Sequence, residues 1–67
     1  MIPEVKIYVG RFGEEKYLCD MSETDYLPSK GDFIFHNCDV YKVLYVMHDM
    51  DDDVFNVFVR LAVEEDY

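Results

Sequence analysis

The densest run of chemically capable side chains is His48-Asp49-Met50-Asp51-Asp52-Asp53. Carboxylates at alternate positions, Asp49, Asp51 and Asp53, match the opening ligands of a calcium loop. The match then fails twice. The sixth position, where a sharp turn calls for Gly, is Val54, and the twelfth, where a bidentate Glu closes the shell, is Arg60. Residues 54–61 also alternate as a strand, where a calcium hand needs a helix. Asp tolerates the left-handed conformation and bonds its own backbone, so the run reads as a solvated acidic turn.

Zinc fares no better. His36 and Cys38 are too close in sequence to form a standard ligand pair, and Cys19 and His48 would have to arrive from elsewhere in the fold. Nucleophilic catalysis has few candidates. Ser22 and Ser29 are the only serines and Thr24 the only threonine, with no Gly-x-Ser-x-Gly elbow and no glycine-rich phosphate loop. His36 and Cys38 share a face of an extended segment about 7 Å apart, beyond hydrogen-bond reach. A chain this small also lacks depth for a water-excluding pocket of ~300 Å³. The expectation is a protein that is not an enzyme and that takes no cofactor and no metal.

Composition supports a folded chain with a thin core. The 67 residues are 51% hydrophobic and 16% aromatic, with three Gly and two Pro. Disordered chains of similar charge lack that apolar content. One small domain over residues 1–67 is expected. Fifteen Asp and Glu against six Lys and Arg give a formal charge of −9. Nucleic acid as a direct partner requires Lys and Arg to neutralise phosphates, and anionic membranes attract basic segments, so both are excluded as expectations. No leader pattern opens the chain and no apolar run approaches the ~18 residues of a membrane helix. Cys19 and Cys38 are too few for a disulfide scaffold, which makes the cytoplasm the expected compartment and leaves a single bridge between them open.

The elements that must position these residues alternate with period two. Val5–Val9 and Lys16–Met21 flank Gly13 as a hairpin. Ser22-Glu23-Thr24-Asp25 has capping-box spacing for one helical turn, and Pro28 and Gly31 forbid a longer helix. Strands follow at 33–36, 40–48 and 54–61, with tight turns between, and Glu64–Tyr67 form a polar tail. In the last strand Phe55, Val57, Val59 and Leu61 face in, and Asn56 and Arg60 face out. The pattern predicts an all-β domain: a small five-stranded antiparallel sheet or barrel with a long loop at residues 22–32.

Leu27-Pro28-x-x-Gly31-Asp32-Phe33-Ile34, then Tyr41-x-Val43-x-x-Val46, then Val57 and Val59, resemble the SH3-like barrel pattern of many small bacterial and phage proteins. The resemblance covers about residues 27–61 and implies a fold; function does not follow from it.

In residues 40–48 both parities are apolar. Tyr41, Val43, Tyr45 and Met47 would share one face, and Val40, Leu44 and Val46 the other. A small barrel covers one face only, so a second cover is needed. Either the first hairpin or the 22–32 loop supplies it, or a partner does. Tyr8, Tyr45 and Met47 would then be apolar anchors, since Tyr and Met suit interfaces. Asp49, Asp51, Asp52 and Asp53 would meet Lys and Arg on a basic protein surface. In bulk properties the chain resembles small acidic phage-encoded inhibitors whose carboxylates stand in for phosphates. The expected function is thus a protein-binding module, an inhibitor or adaptor. The alternative partner is a second copy of the chain, a homodimer with no ligand.

Overall fold

The computed structural model describes residues 4–21 and 27–67. Among them five strands form one sheet: β1 (Val5–Val9), β2 (Lys16–Met21), β3 (Phe33–His36), β4 (Asp39–Asp49) and β5 (Val54–Leu61), followed by a single 3₁₀ turn, Glu64–Asp66. The fold is all-β, a five-stranded sheet curled into a half-barrel. The helical turn expected at Ser22–Asp25 lies outside the described residues, as does the first part of the expected loop, residues 22–26. Its remainder, 27–32, carries no strand, and Pro28 is buried.

The strand order is β2-β1-β5-β4-β3, and here the expectation of a purely antiparallel sheet is corrected. β1 runs parallel to β5, with Val5 opposite Phe55, Ile7 opposite Val57 and Val9 opposite Val59. The other pairs, β1–β2, β3–β4 and β4–β5, are antiparallel. Alternation specifies which face a side chain occupies, not which strand lies beside it or in what direction. A parallel pair needs a long crossover, and everything between β1 and β5 supplies it.

Turn chemistry follows residue type. Gly10 sits at φ 112°, and a Cβ there would lie 3.1 Å from the Glu14 carbonyl oxygen, so glycine is required on both counts. Its N–H donates to the Val59 carbonyl at 2.8 Å, which seats the β1–β2 turn against β5. Asn37 and Cys38 both have positive φ, 54° and 68°, the signature of a two-residue type I′ hairpin between β3 and β4.

A bulge between Val43 and Tyr45 overturns the expected parity of β4. One extra residue exchanges the faces of everything beyond it. Tyr41, Val43 and Val46 therefore pack inward, while Tyr45, Met47 and Lys42 share the outer face. A second irregularity, between Ile7 and Tyr8, bends β1–β2 in the same way. The inner core consists of Val5, Ile7, Tyr41, Val43, Val57 and Val59, with Val9, Leu18, Met21, Leu27, Ile34 and Phe55 among the half-buried residues against it. Leu61, expected to face in, shares the face of Tyr41 by register but is exposed at the strand's end.

Candidate protein-binding surface

The β4–β5 turn organises itself. Asp49 Oδ1 accepts the N–H groups of Asp51 at 3.0 Å and Asp52 at 3.2 Å, so this carboxylate replaces the backbone partners the turn lacks. Asp53 takes the left-handed conformation at φ 53°. Its Oδ1 lies 3.0 Å from His48 Nε2. The His48 ring stacks on Phe55 with centroids 4.3 Å apart. Asp49 and Asp53 thus hold the turn, and Asp51 and Asp52 project into solvent beside Met50, which is 78% exposed. Among the described residues no group of three or more His, Cys, Asp or Glu side chains is placed to hold a metal ion.

Parallel pairing adds acids that the sequence pattern does not bring here. The Phe55 N–H donates to the Glu4 carbonyl at 3.0 Å, so Glu4 sits at the same end of the sheet as the acidic turn. Asp20 pairs with Lys6 one step further in. Glu4 and Asp20 are far from Asp49–Asp53 in sequence, and only the strand order joins them. Lys6 Nζ lies 3.9 Å from Glu4 Oε1, so this cation is itself faced by a carboxylate.

The outer face carries an aromatic row across four strands. Tyr17, Tyr8, Phe58 and Tyr45 are successive cross-strand neighbours by register. Phe58 is 1% exposed although it faces away from the aliphatic core. Tyr8 stacks on it at 5.8 Å, Tyr45 tilts against it at 5.1 Å, and Phe12 meets it edge-on at 6.1 Å. The Phe12 N–H donates to the Tyr45 hydroxyl oxygen at 2.8 Å and closes the β1–β2 turn over the ring. The first hairpin thus covers Phe58 and the Tyr45 ring of β4, and Met47 on the same face stays exposed. Tyr8 and Tyr45 share the outer face with Met47, but their rings are half-buried in this intramolecular row. Phe12, Tyr17 and Met47 are its exposed members. Phe58 was missed in the sequence because its inward neighbours Val57 and Val59 satisfy the alternation by themselves.

Two titratable groups near the site depart from their ordinary values. A hydrogen bond to Asp20 holds the Tyr17 phenol protonated, with burial and the Asp20 charge adding to it, and its pKa is pushed up to about 12. Partial burial, then the Asp20 charge, pushes the Cys19 thiol up, away from thiolate chemistry. Cys19 and Cys38 are both free thiols.

No protein-family model matches the chain, no curated protein matches its sequence, and no solved structure matches its fold. Among the described residues no helix is long and apolar enough to cross a membrane.

Proposed function

We propose that the chain is a non-catalytic protein-binding module, a small acidic inhibitor or adaptor of the cytoplasm, whose β4–β5 end recognises a basic protein surface. The observation that carries this reading is the pre-organised turn. Asp49 and Asp53 hold the loop internally, and Asp51 and Asp52 are left exposed next to the exposed Met50. A partner's Lys and Arg would meet carboxylates whose backbone is already ordered by Asp49, which lowers part of the ordering cost of association. The net charge of −9 steers such a partner from a distance. A groove that otherwise holds nucleic acid is the narrower form of that partner, with carboxylates standing where phosphates would. The SH3-like resemblance of residues 27–61 stays a proposal about the β3–β5 meander, and no binding site comes with it.

The second reading, a homodimer, is favoured by edge strand β3, where Phe35 is 72% exposed. One experiment separates the two. The parent chain and an Asp51→Asn/Asp52→Asn variant are immobilised, and a bacterial lysate is passed over both at low and then high salt. Basic proteins retained by the parent, eluted by salt and depleted on the variant are the expected result. The same proteins on both columns would remove the acidic turn from recognition. Retention of nothing but the chain itself would favour the homodimer.

A further inference from the structure

The outer face holds a second charged site, distant from the acidic turn. Arg60 and Lys42 are cross-strand neighbours on β5 and β4, and Phe33 on β3 is the next neighbour of Lys42. Three strands thus set a guanidinium, an ammonium and a ring in one row. Glu64–Tyr67, expected as a polar tail, folds back to fill it. Asp66 Oδ2 and Oδ1 accept from Arg60 Nη1 at 2.9 Å and Nη2 at 2.8 Å, a bidentate fork. Lys42 Nζ approaches Oδ1 at 3.5 Å, and the Val63 N–H donates to Oδ2 at 2.8 Å. The Tyr67 ring stacks on Phe33, 5.4 Å between centroids and 12° between planes. The Asp66 side chain is only 9% exposed.

Among the described residues, no backbone hydrogen bond joins Glu64–Tyr67 to the sheet. The last such bond is Ala62 N–H to the Val40 carbonyl at 2.9 Å; beyond it, Asp66 N–H returns to Val63 O and Tyr67 N–H to Glu64 O. The named contacts that bring the segment to the sheet are two side chains, an acid and the aromatic residue after it. Such a segment behaves as a ligand tethered to its own receptor. With it removed, Arg60 and Lys42 form the one place among the described strand pairs where two cations stand side by side in register, on a chain of net charge −9.

We propose that the Arg60–Lys42–Phe33 row is a recognition site for an acidic–aromatic dipeptide, Asp or Glu followed by Tyr or Phe, in a partner protein, and that Asp66-Tyr67 occupies it in cis as a latch. The cis occupant defines the chemistry the row accepts: a planar carboxylate for the guanidinium fork and a ring for Phe33. The site is separate from the acidic end and takes a partner of the opposite charge. The closed latch weakens apparent affinity by the fraction of molecules in which it is open.

The test uses a fluorescent peptide of residues 62–67, Ala-Val-Glu-Glu-Asp-Tyr, titrated with the parent chain and with two variants, Asp66→Ala/Tyr67→Ala and Tyr67→Ala alone. Anisotropy should show the double variant binding at least about tenfold more tightly than the parent, with the single variant between them. Adding Arg60→Gln to the double variant, or replacing the peptide's Asp by Asn, should abolish the gain. The single variant keeps the ion pair and guards against a double variant that fails to fold. No gain in either variant overturns the proposal. Parent chain that sediments as a dimer, and becomes monomeric on Asp66→Ala, overturns the partner peptide in favour of a second copy's own latch.

Discussion

The two faces of the sheet are built from the same strands, residue by alternate residue, yet different physics holds each together. The inner face is aliphatic: Val5, Ile7, Val43, Val57 and Val59 interlock with Tyr41 and exclude water from both flanks of β5. The outer face has no second sheet or helix over it among the described residues. It covers itself piecemeal, with the Phe12 turn over Phe58 and the Glu64–Asp66 turn over Arg60 and Lys42. A chain of this length cannot bury both faces of a half-barrel under a full layer. It uses the pieces left over, a hairpin loop and a terminal turn. The inner face is therefore where volume matters, and the outer face is where directional contacts and charge matter.

Truncation should expose that difference most strongly. Ile7→Ala opens a cavity whose walls are strands fixed by their ladders, and it should cost about 3–4 kcal/mol. Phe58→Ala removes more atoms, but its lids, Phe12, Tyr8 and Tyr45, can settle into the vacancy. It should cost about 3 kcal/mol, the low end for a buried Phe. A chain of this size has a total stability of about 3–10 kcal/mol, so both variants approach the limit. Urea midpoints at unchanged slope give the comparison. A Phe58→Ala cost well above that of Ile7→Ala would make the outer face a second rigid core.

The same contrast explains what the sequence disclosed. The strand positions of β1, β2, β3 and β5 follow from alternation and turn residues, and β4 extends one residue beyond each expected end. Burial of Val5, Ile7, Val57 and Val59 follows from parity alone. The outer face was hidden because its organisation depends on events without a local signature. The bulge beside Leu44 sends Tyr45 and Met47 outward, and no residue there announces it. The parallel β1–β5 pair brings Tyr8 to Phe58 and Glu4 to the acidic turn. Phe58 looks like an exposed ring until its cover is known. In the acidic turn, the residue types indicated a turn correctly, but only geometry separates Asp49 and Asp53, which hold it, from Asp51 and Asp52, which do not. The 64–67 segment reads as polar, and its fold-back rests on Arg60, a residue the alternation had merely turned toward solvent.

A smaller effect isolates one directional contact. Tyr45→Phe keeps the ring against Phe58 and removes only the oxygen that accepts the Phe12 N–H. Phe12 is exposed, so water replaces the lost partner and the cost should be about 0.5–1 kcal/mol. The loss should appear as faster amide exchange confined to the β1–β2 turn, with the β4–β5 ladder unchanged. Faster exchange throughout the sheet would mean that the hydroxyl supports the fold as a whole.

The smallest effect separates the faces by pH. The Arg60 guanidinium fork, then the Val63 N–H, and with them the Arg60 and Lys42 charges, hold the Asp66 carboxyl well below the usual carboxylate range. Because the folded value lies below the unfolded one, about 3.9, the contribution is complete above that pH and is lost as pH falls toward the folded value. Asp66→Asn should remove it, so the two stability curves should differ at pH 6 and converge as the pH is lowered below about 4. Tyr17 runs the other way. Its folded pKa, about 12, lies above its ordinary 10, so the stability it adds is present below pH 10 and fades as pH climbs through 12. Both groups stand on the outer face, and Ile7→Ala should shift the whole curve down without altering its shape. Parallel curves for the parent and Asp66→Asn would show that the latch exchanges one set of water contacts for another and adds no stability.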